Sequence, residues 1–352
     1  MTREKPERPI TVLVIDDSAA NRRAITRILE TAPGVRVVER AADGEEGLKK
    51  AIALKPEVIT LDLEMPRLDG FAFLRLLNAQ APTPVIVLSS YRHPSDVFKA
   101  LQLGAFDFVS KPQGRDAETL DSVRAELIEK VRAVRFLKPR QPEAALPKPS
   151  PAKGRQPRAE APVVIGLGAS TGGPPAVQRV LESLVGLPVC VLVAQHMPAR
   201  FTEAFAQRLN QALALRVAEA KAGDPIEPGR VYVAPGGEQL ELAQKGSLMQ
   251  LAVKRASPAD RHAPSVDRLF LSLADHLGGR ARAVVLTGMG DDGAKGVAAL
   301  GRQGAEVWAE AESTAVVFGM PQAAISTGHV KRVLPVDELG PALASALRAR
   351  RP

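Results

Sequence analysis

Two α/β domains joined by a proline-rich connector are the fold class this chain predicts: a (βα)5 unit over residues 1–138, and a doubly wound, mainly parallel sheet with a β-hairpin over 162–352. Three observations predict it. Short apolar strands alternate with amphipathic helical stretches in both halves. Residues 139–161 are dense in proline and basic side chains and poor in large apolar groups, which suits an extended connector. Polar residues interrupt the apolar runs at strand ends, the edge where open α/β sheets place ligands. At 352 residues the chain can build two cores, and 45% hydrophobic content excludes wholesale disorder.

The first half reads as strands at 10–16, 35–39, 58–62, 85–89 and 106–110, separated by segments with apolar residues at helical spacing, such as ANRRAITRILET and FAFLRLLN. Asp16 and Asp17 close the first strand, Asp62 the third and Ser89 the fourth, while Lys111 follows the fifth. A helix cap at Asp17 or Ser18 accounts for part of this, but not for Asp62 and Lys111. Crowded carboxylates repel one another and call for a counter-charge; Mg²⁺, which prefers oxygen ligands, fits.

With MPRLDG after Asp62 and the pair Lys111-Pro112, residues 10–137 resemble the receiver domain of two-component response regulators. The resemblance implies a flavodoxin-like fold and phosphorylation of Asp62 by a partner histidine kinase. Asp16, Asp17, Asp62 and the backbone carbonyl of Glu64 would surround Mg²⁺, Ser89 would contact the phosphoryl group, Lys111 would pair with it, and Phe108 would follow the switch.

The formal charge of +8 raises nucleic acid as a partner, but several of the basic residues fall in the connector. No helix-turn-helix or basic-aromatic strand pattern is visible, so no nucleic-acid partner is expected. A docking peptide is a second reading of the connector. The lone cysteine, Cys190, sits in VCVLV as a small core residue and excludes an internal disulfide. No run is long enough for membrane insertion and no secretory signal opens the chain, so a cytoplasmic setting is expected.

In the second half, strands are expected at VVIGLG, 189–194, 230–234, 283–287 and 306–310, with a hairpin turning at 244–246. Ser170 follows the first strand in a Gly-rich turn that runs into a helix at Pro174. Gly168, Gly172 and Gly173 are expected to permit the turn and the approach of a substrate. His196 follows the second strand, and Asp291 and Asp292 follow VVLT in GMGDDG. Serine, histidine and aspartate at one sheet edge are the parts of an acyl-transfer triad, although singly they also read as a turn, a loop histidine and a helix cap.

Rival motifs fail here. Thr171 stands where a dinucleotide fingerprint needs glycine, and no Gly-Lys-Ser/Thr occurs. GASTG matches a nucleophile elbow, but the order Ser, His, Asp departs from the α/β-hydrolases.

GASTGGP, AQHMP, VYVAPGG, PSVD and LTGMGDDG, in that order behind a receiver, resemble the chemotaxis protein-glutamate methylesterases, the CheB family. The resemblance implies Ser170 as nucleophile, His196 as base and Asp292 rather than Asp291 as orienting acid, with Met289 N–H and the turn around Thr171 as oxyanion hole. It implies no cofactor in the esterase site. It further implies demethylation and deamidation of methyl-accepting chemotaxis receptors, with the unphosphorylated receiver packed over the active site. Gln239 and Ala263 stand where the family often carries histidine and a basic residue. The alternative is a non-catalytic response regulator whose second domain is a protein-binding module.

Overall fold

The computed structural model describes residues 8–89, 94–111, 117–137 and 162–349. The connector at 139–161 and Pro112 lie outside the described residues. The chain divides into two compact units, Met1–Leu137 and Lys138–Pro352.

In the first unit the elements alternate strictly: β1 (Ile10–Ile15), α1 (Ala19–Glu30), β2 (Val35–Ala41), α2 (Gly44–Leu54), β3 (Val58–Asp62), α3 (Gly70–Gln80), β4 (Val85–Ser89), α4 (Pro94–Gln102), β5 (Asp107–Ser110) and α5 (Ala117–Ala133). The strands form one parallel sheet in the order β2-β1-β3-β4-β5. β3 and β4 are buried along their whole length, as strands covered on both faces must be. Short polar side chains start the helices: Ser18 accepts from Asn21 N–H, Asp43 from Glu45 and Glu46, and Asp69 from Ala72. Because Ser18 supplies the α1 cap, Asp17 is released from that duty.

The second unit runs β6 (Val163–Ala169), α6 (Gly173–Glu182), β7 (Val189–Gln195), α7 (Phe201–Ala212), β8 (Arg216–Glu219), β9 (Arg230–Val233), β10 (Glu238–Lys245), β11 (Leu248–Arg255), α8 (Val266–Leu277), β12 (Arg282–Val285), α9 (Ala294–Arg302), β13 (Glu306–Glu310), α10 (Gly319–Ser326), β14 (Val330–Leu334) and α11 (Val336–Ala349). Seven strands make a wholly parallel sheet in the order β14-β13-β12-β6-β7-β9-β8, and β10 and β11 form a separate antiparallel pair. The first strand of the unit is central, so later strands are laid to either side of it. The carboxyl end of β6 is therefore a topological switch point, where such sheets open a crevice.

Several boundaries differ from the sequence reading. The hairpin turns at Gly246 and Ser247, because Lys245 and Leu248 still pair. β12 ends at Val285, and Thr287 N–H leaves the ladder for the Glu310 carboxylate. β8 and β14 were not expected: each is a short edge strand whose charged or exposed residues weaken the apolar signal.

The glycines of β6 also differ from expectation. A Cβ at Gly168 would lie 2.3 Å from Val266 Cγ1, and one at Gly166 would lie 2.7 Å from Leu273 Cδ1. They admit α8 against the sheet rather than a substrate against the turn. Gly173 is likewise filled from beneath, with Gln195 Oε1 at 2.0 Å from its would-be Cβ. Gly172 does serve the turn, at φ +76°. With Phe270 and Leu273 of α8 fully buried, each apolar side chain contributes about 1.5–3 kcal/mol to seating this helix.

Candidate active site

Three adjacent strands of the second sheet deliver three side chains. Ser170 follows β6, His196 follows β7 and Asp292 follows β12, and the pairings Ala169↔Gln195 and Gly168↔Val285 hold the three ends level. Ser170 N–H donates to Thr287 O at 3.0 Å, and Gly173 N–H donates to Ser170 O at 2.8 Å, closing the turn into α6. The Gln195 amide donates to Ser170 O at 2.9 Å and to His196 O at 3.1 Å, and His196 N–H donates to Ala169 O at 3.0 Å. One buried amide thus ties the serine turn to the histidine turn.

His196 Nε2 lies 2.7 Å from Asp292 Oδ2. A carboxylate only accepts, so Nε2 carries the proton and Nδ1 is left with a free lone pair. Asp292 is held at the start of α8, where Val266 N–H donates to Oδ2 at 2.7 Å and Asp267 N–H to Oδ1 at 2.9 Å; Ser265 Oγ adds a donor to Oδ1 at 2.9 Å. Burial opposes its charge, but the bonds from His196 and the α8 amides outweigh it and hold Asp292 well below the usual carboxylate range. Asp291 points elsewhere: it is exposed and pairs with Arg261 at 3.3 Å. Of the two aspartates, which spacing alone does not separate, Asp292 is the one brought to His196.

Met289 and Thr171 flank the serine. A Cβ on Gly288 would fall 2.7 Å from Ser170 Cβ, so the loop carrying Met289 runs directly beside it. That loop is fixed by Gly288 N–H to Val317 O at 3.0 Å and by Met320 N–H to Gly288 O at 2.8 Å. Among the described residues the N–H groups of Met289 and Thr171 donate to no protein acceptor.

Some neighbours escaped the sequence reading. His262 stacks on His196, with ring centroids 4.3 Å apart and planes 11° from parallel. Burial, together with the neighbouring His196 imidazole, pushes His262 down to about 4, so this second imidazole is neutral at physiological pH. Gln239 explains its own presence: buried, it donates to His262 O at 2.7 Å and accepts from Ser265 N–H at 2.8 Å, spanning the loop that holds Ala263. Asp267 accepts from Gly293 and Gly296 N–H, at 3.0 and 2.9 Å, and fixes the start of α9. The PSVD motif was the available signal, but only its contacts assign the roles.

In the first unit, carboxylate oxygens of Asp16, Asp17 and Asp62 lie within 4.8 Å of one another. Lys111 Nζ lies 3.0 Å from Asp16 Oδ2 and 2.5 Å from Asp62 Oδ2. Burial lifts Asp62 above its ordinary value in spite of Lys111, and Lys111 is raised because its bonds to Asp62 outweigh its own burial. Glu64 N–H donates to Asp62 Oδ1 at 3.3 Å. Ser89 ends β4 opposite Ser110, and its carbonyl accepts from Lys111 N–H at 2.7 Å. Phe108 is buried on β5, with the Lys130 ammonium 5.0 Å from its ring centroid. The clustered carboxylate oxygens of Asp16, Asp17 and Asp62 are the kind of donor set that a hard divalent cation prefers.

Comparison with known proteins agrees in both halves. Residues 165–343 match the family described as CheB methylesterase, and residues 12–123 match the response regulator receiver domain. The protein-glutamate methylesterase/protein-glutamine glutaminase 1 of Myxococcus xanthus (strain DK1622) is 58% identical over 343 residues, covering 97% of this chain and 98% of the relative. The corresponding protein 3 of Geobacter sulfurreducens (strain ATCC 51573 / DSM 12127 / PCA) is 47% identical, over 94% of this chain and 96% of the relative. The crystal structure of the CheB methylesterase catalytic domain of Thermotoga maritima matches with a TM-score of 0.51 and 34% identity, covering 53% of this chain and 100% of that one.

Proposed function

The chain belongs to the family of CheB methylesterases that carry a response-regulator receiver, and we propose that Ser170, His196 and Asp292 are the residues with which it does that family's chemistry. The activity is hydrolysis, removing methyl groups from protein glutamate γ-methyl esters and deamidating protein glutamines in chemotaxis adaptation. A non-catalytic regulator is not favoured, since full-length relatives at 58% and 47% identity are named as enzymes.

Ser170 Oγ attacks the ester or amide carbonyl while His196 Nδ1 takes its proton. Asp292 fixes the tautomer that leaves Nδ1 free and stabilises the imidazolium. The N–H groups of Met289 and Thr171 receive the oxyanion. His196 returns the proton to the leaving group, so methanol or ammonia departs and an acyl-serine remains. Water, deprotonated by His196, then cleaves the acyl-serine and gives the glutamate side chain and free Ser170. The observation that carries this reading is the 2.7 Å bond from His196 Nε2 to an Asp292 already committed to the α8 backbone. Methanol release from methylated receptor membranes by Ser170→Ala tests it; undiminished release refutes it.

The receiver implies phosphorylation supplied by a kinase, and the family implies receptors as the other partner. We take Asp62 as the phosphoacceptor, a CheA-type histidine kinase as donor and methyl-accepting chemotaxis receptors as substrates. Asp16, Asp17, Asp62 and the Glu64 carbonyl would hold Mg²⁺, which would screen the phosphoryl charge, and Lys111 would pair with that charge. Phosphorylation of Asp62 then lifts a block that the unphosphorylated receiver imposes on Ser170. The domain limits 1–138, 139–161 and 162–352 belong to this reading, as does a cytoplasmic setting. Among the described residues no helix is long and apolar enough to cross a membrane.

A further inference from the structure

Thr287 is the hub on which the serine turn hangs. Its carbonyl accepts from Ser170 N–H at 3.0 Å, and its hydroxyl donates to Thr171 O at 2.9 Å and accepts from Val317 N–H at 3.0 Å. Its own N–H donates to Glu310 Oε2 at 2.8 Å. Glu310, the last residue of β13, is 1% exposed. Every polar group of Thr287 is thereby spent, and all of its bonds but the one to Glu310 go to the segments that flank Ser170 or to the loop that holds Gly288.

We propose that the carboxylate of Glu310 is a positioning group of the active site: ionised, it holds Thr287 and through it the turn carrying Ser170 and Thr171, and protonation loosens that hold. The proposal rests on reading Ser170 as the nucleophile.

The hydrogen bonds around Glu310 are written for the ionised form. Oε2 accepts from Thr287 N–H, and Oε1 accepts from Thr314 Oγ1 at 3.0 Å. Thr314 Oγ1 in turn accepts from Val336 N–H at 2.9 Å, so its single proton is committed to Glu310. Placing a proton on Oε1 sets it against the proton of Thr314, and one of the two loses its acceptor in a buried site. Among the described residues the charged group bearing on Glu310 is Asp337 at the start of α11, itself paired with Arg179 at 2.6 Å. Among the described residues no cation bears on the carboxyl. Burial therefore pushes it up to about 7, against the two bonds that favour its charge, and its protonation changes across the neutral range.

The test compares the full chain with Glu310→Gln by methanol release from methylated receptor membranes, in the presence of a phosphoryl donor, between about pH 5.5 and 9. Glutamine keeps an oxygen for Thr287 and does not titrate. The ratio of variant to wild-type rate cancels the ionisations the two share. It is expected to rise as pH falls through about 7 and to level off once Glu310 is fully protonated. Thr314→Val, which removes a donor to the carboxylate, moves the same limb of its own profile to higher pH. Thermal melting gives a reading independent of activity. Glu310 holds its proton to a higher pH when folded than when unfolded, so the ionised residue costs stability as pH rises from about 4.5 toward 7. The melting advantage of Glu310→Gln should therefore be widest at alkaline pH and vanish in acid. A rate ratio flat with pH overturns the proposal while Ser170→Ala remains inactive; activity in Ser170→Ala overturns the underlying reading instead.

Discussion

His196 Nε2 sits 2.7 Å from Asp292 Oδ2, and that same oxygen accepts from Val266 N–H at 2.7 Å, so the carboxylate that orients the imidazole is itself oriented by the first turn of α8. Asp292→Asn offers a donor to one of these N–H groups and disturbs the tautomer. A loss in kcat on the order of 10³-fold or more is expected in methanol release. Asp291→Asn should remain within about twofold of wild type, because an exposed pair with Arg261 contributes little. Equal losses from the two variants contradict the assignment.

Ser265 links stability to catalysis. Its hydroxyl accepts from Arg268 N–H as the cap of α8 and donates to Asp292 Oδ1 at 2.9 Å. Ser265→Ala should cost about 1 kcal/mol in denaturant unfolding and lower kcat several-fold with KM little changed. Loss of stability without any loss of kcat would confine Ser265 to capping.

Much of this site was legible because β6, β7 and β12 end in residues whose chemistry is conspicuous at a strand terminus. That the three strands are neighbours, in the order β12-β6-β7, was not, since sheet order depends on crossovers that no local pattern encodes. Gly168 was read as a turn residue because Val266, the side chain it accommodates, lies far along the chain. His262 and Gln195 act through a stacked ring and a bridging amide, which have no periodicity to betray them. Glu310 was visible only as the end of a strand. β8 and β14, short and carrying charge at the sheet edges, gave too little alternation to be seen.

Cys190 should be chemically silent. It is fully buried on β7, and burial pushes its thiol up to about 12. An aromatic disulfide reagent should label no thiol in the native chain and one after unfolding; rapid labelling of native protein would contradict the packing of β7.

The receiver is expected to control the esterase through Asp62. Residues 162–352 alone should hydrolyse receptor ester faster than the unphosphorylated whole chain, and a phosphoryl donor should close the gap. Asp62→Asn, which removes the acceptor beside Lys111, should leave the whole chain slow with donor present. A truncated protein no faster than the whole chain would remove the model of a phosphorylation-relieved block.

The central claim is that Ser170 is the nucleophile held for His196 and Asp292 at the switch point of the second sheet. Its most direct measurement is methanol released from methylated receptor membranes by the phosphorylated whole chain and by Ser170→Ala of equal melting temperature. A fall on the order of 10³-fold or more in the variant is the predicted result; release at the wild-type rate would contradict it.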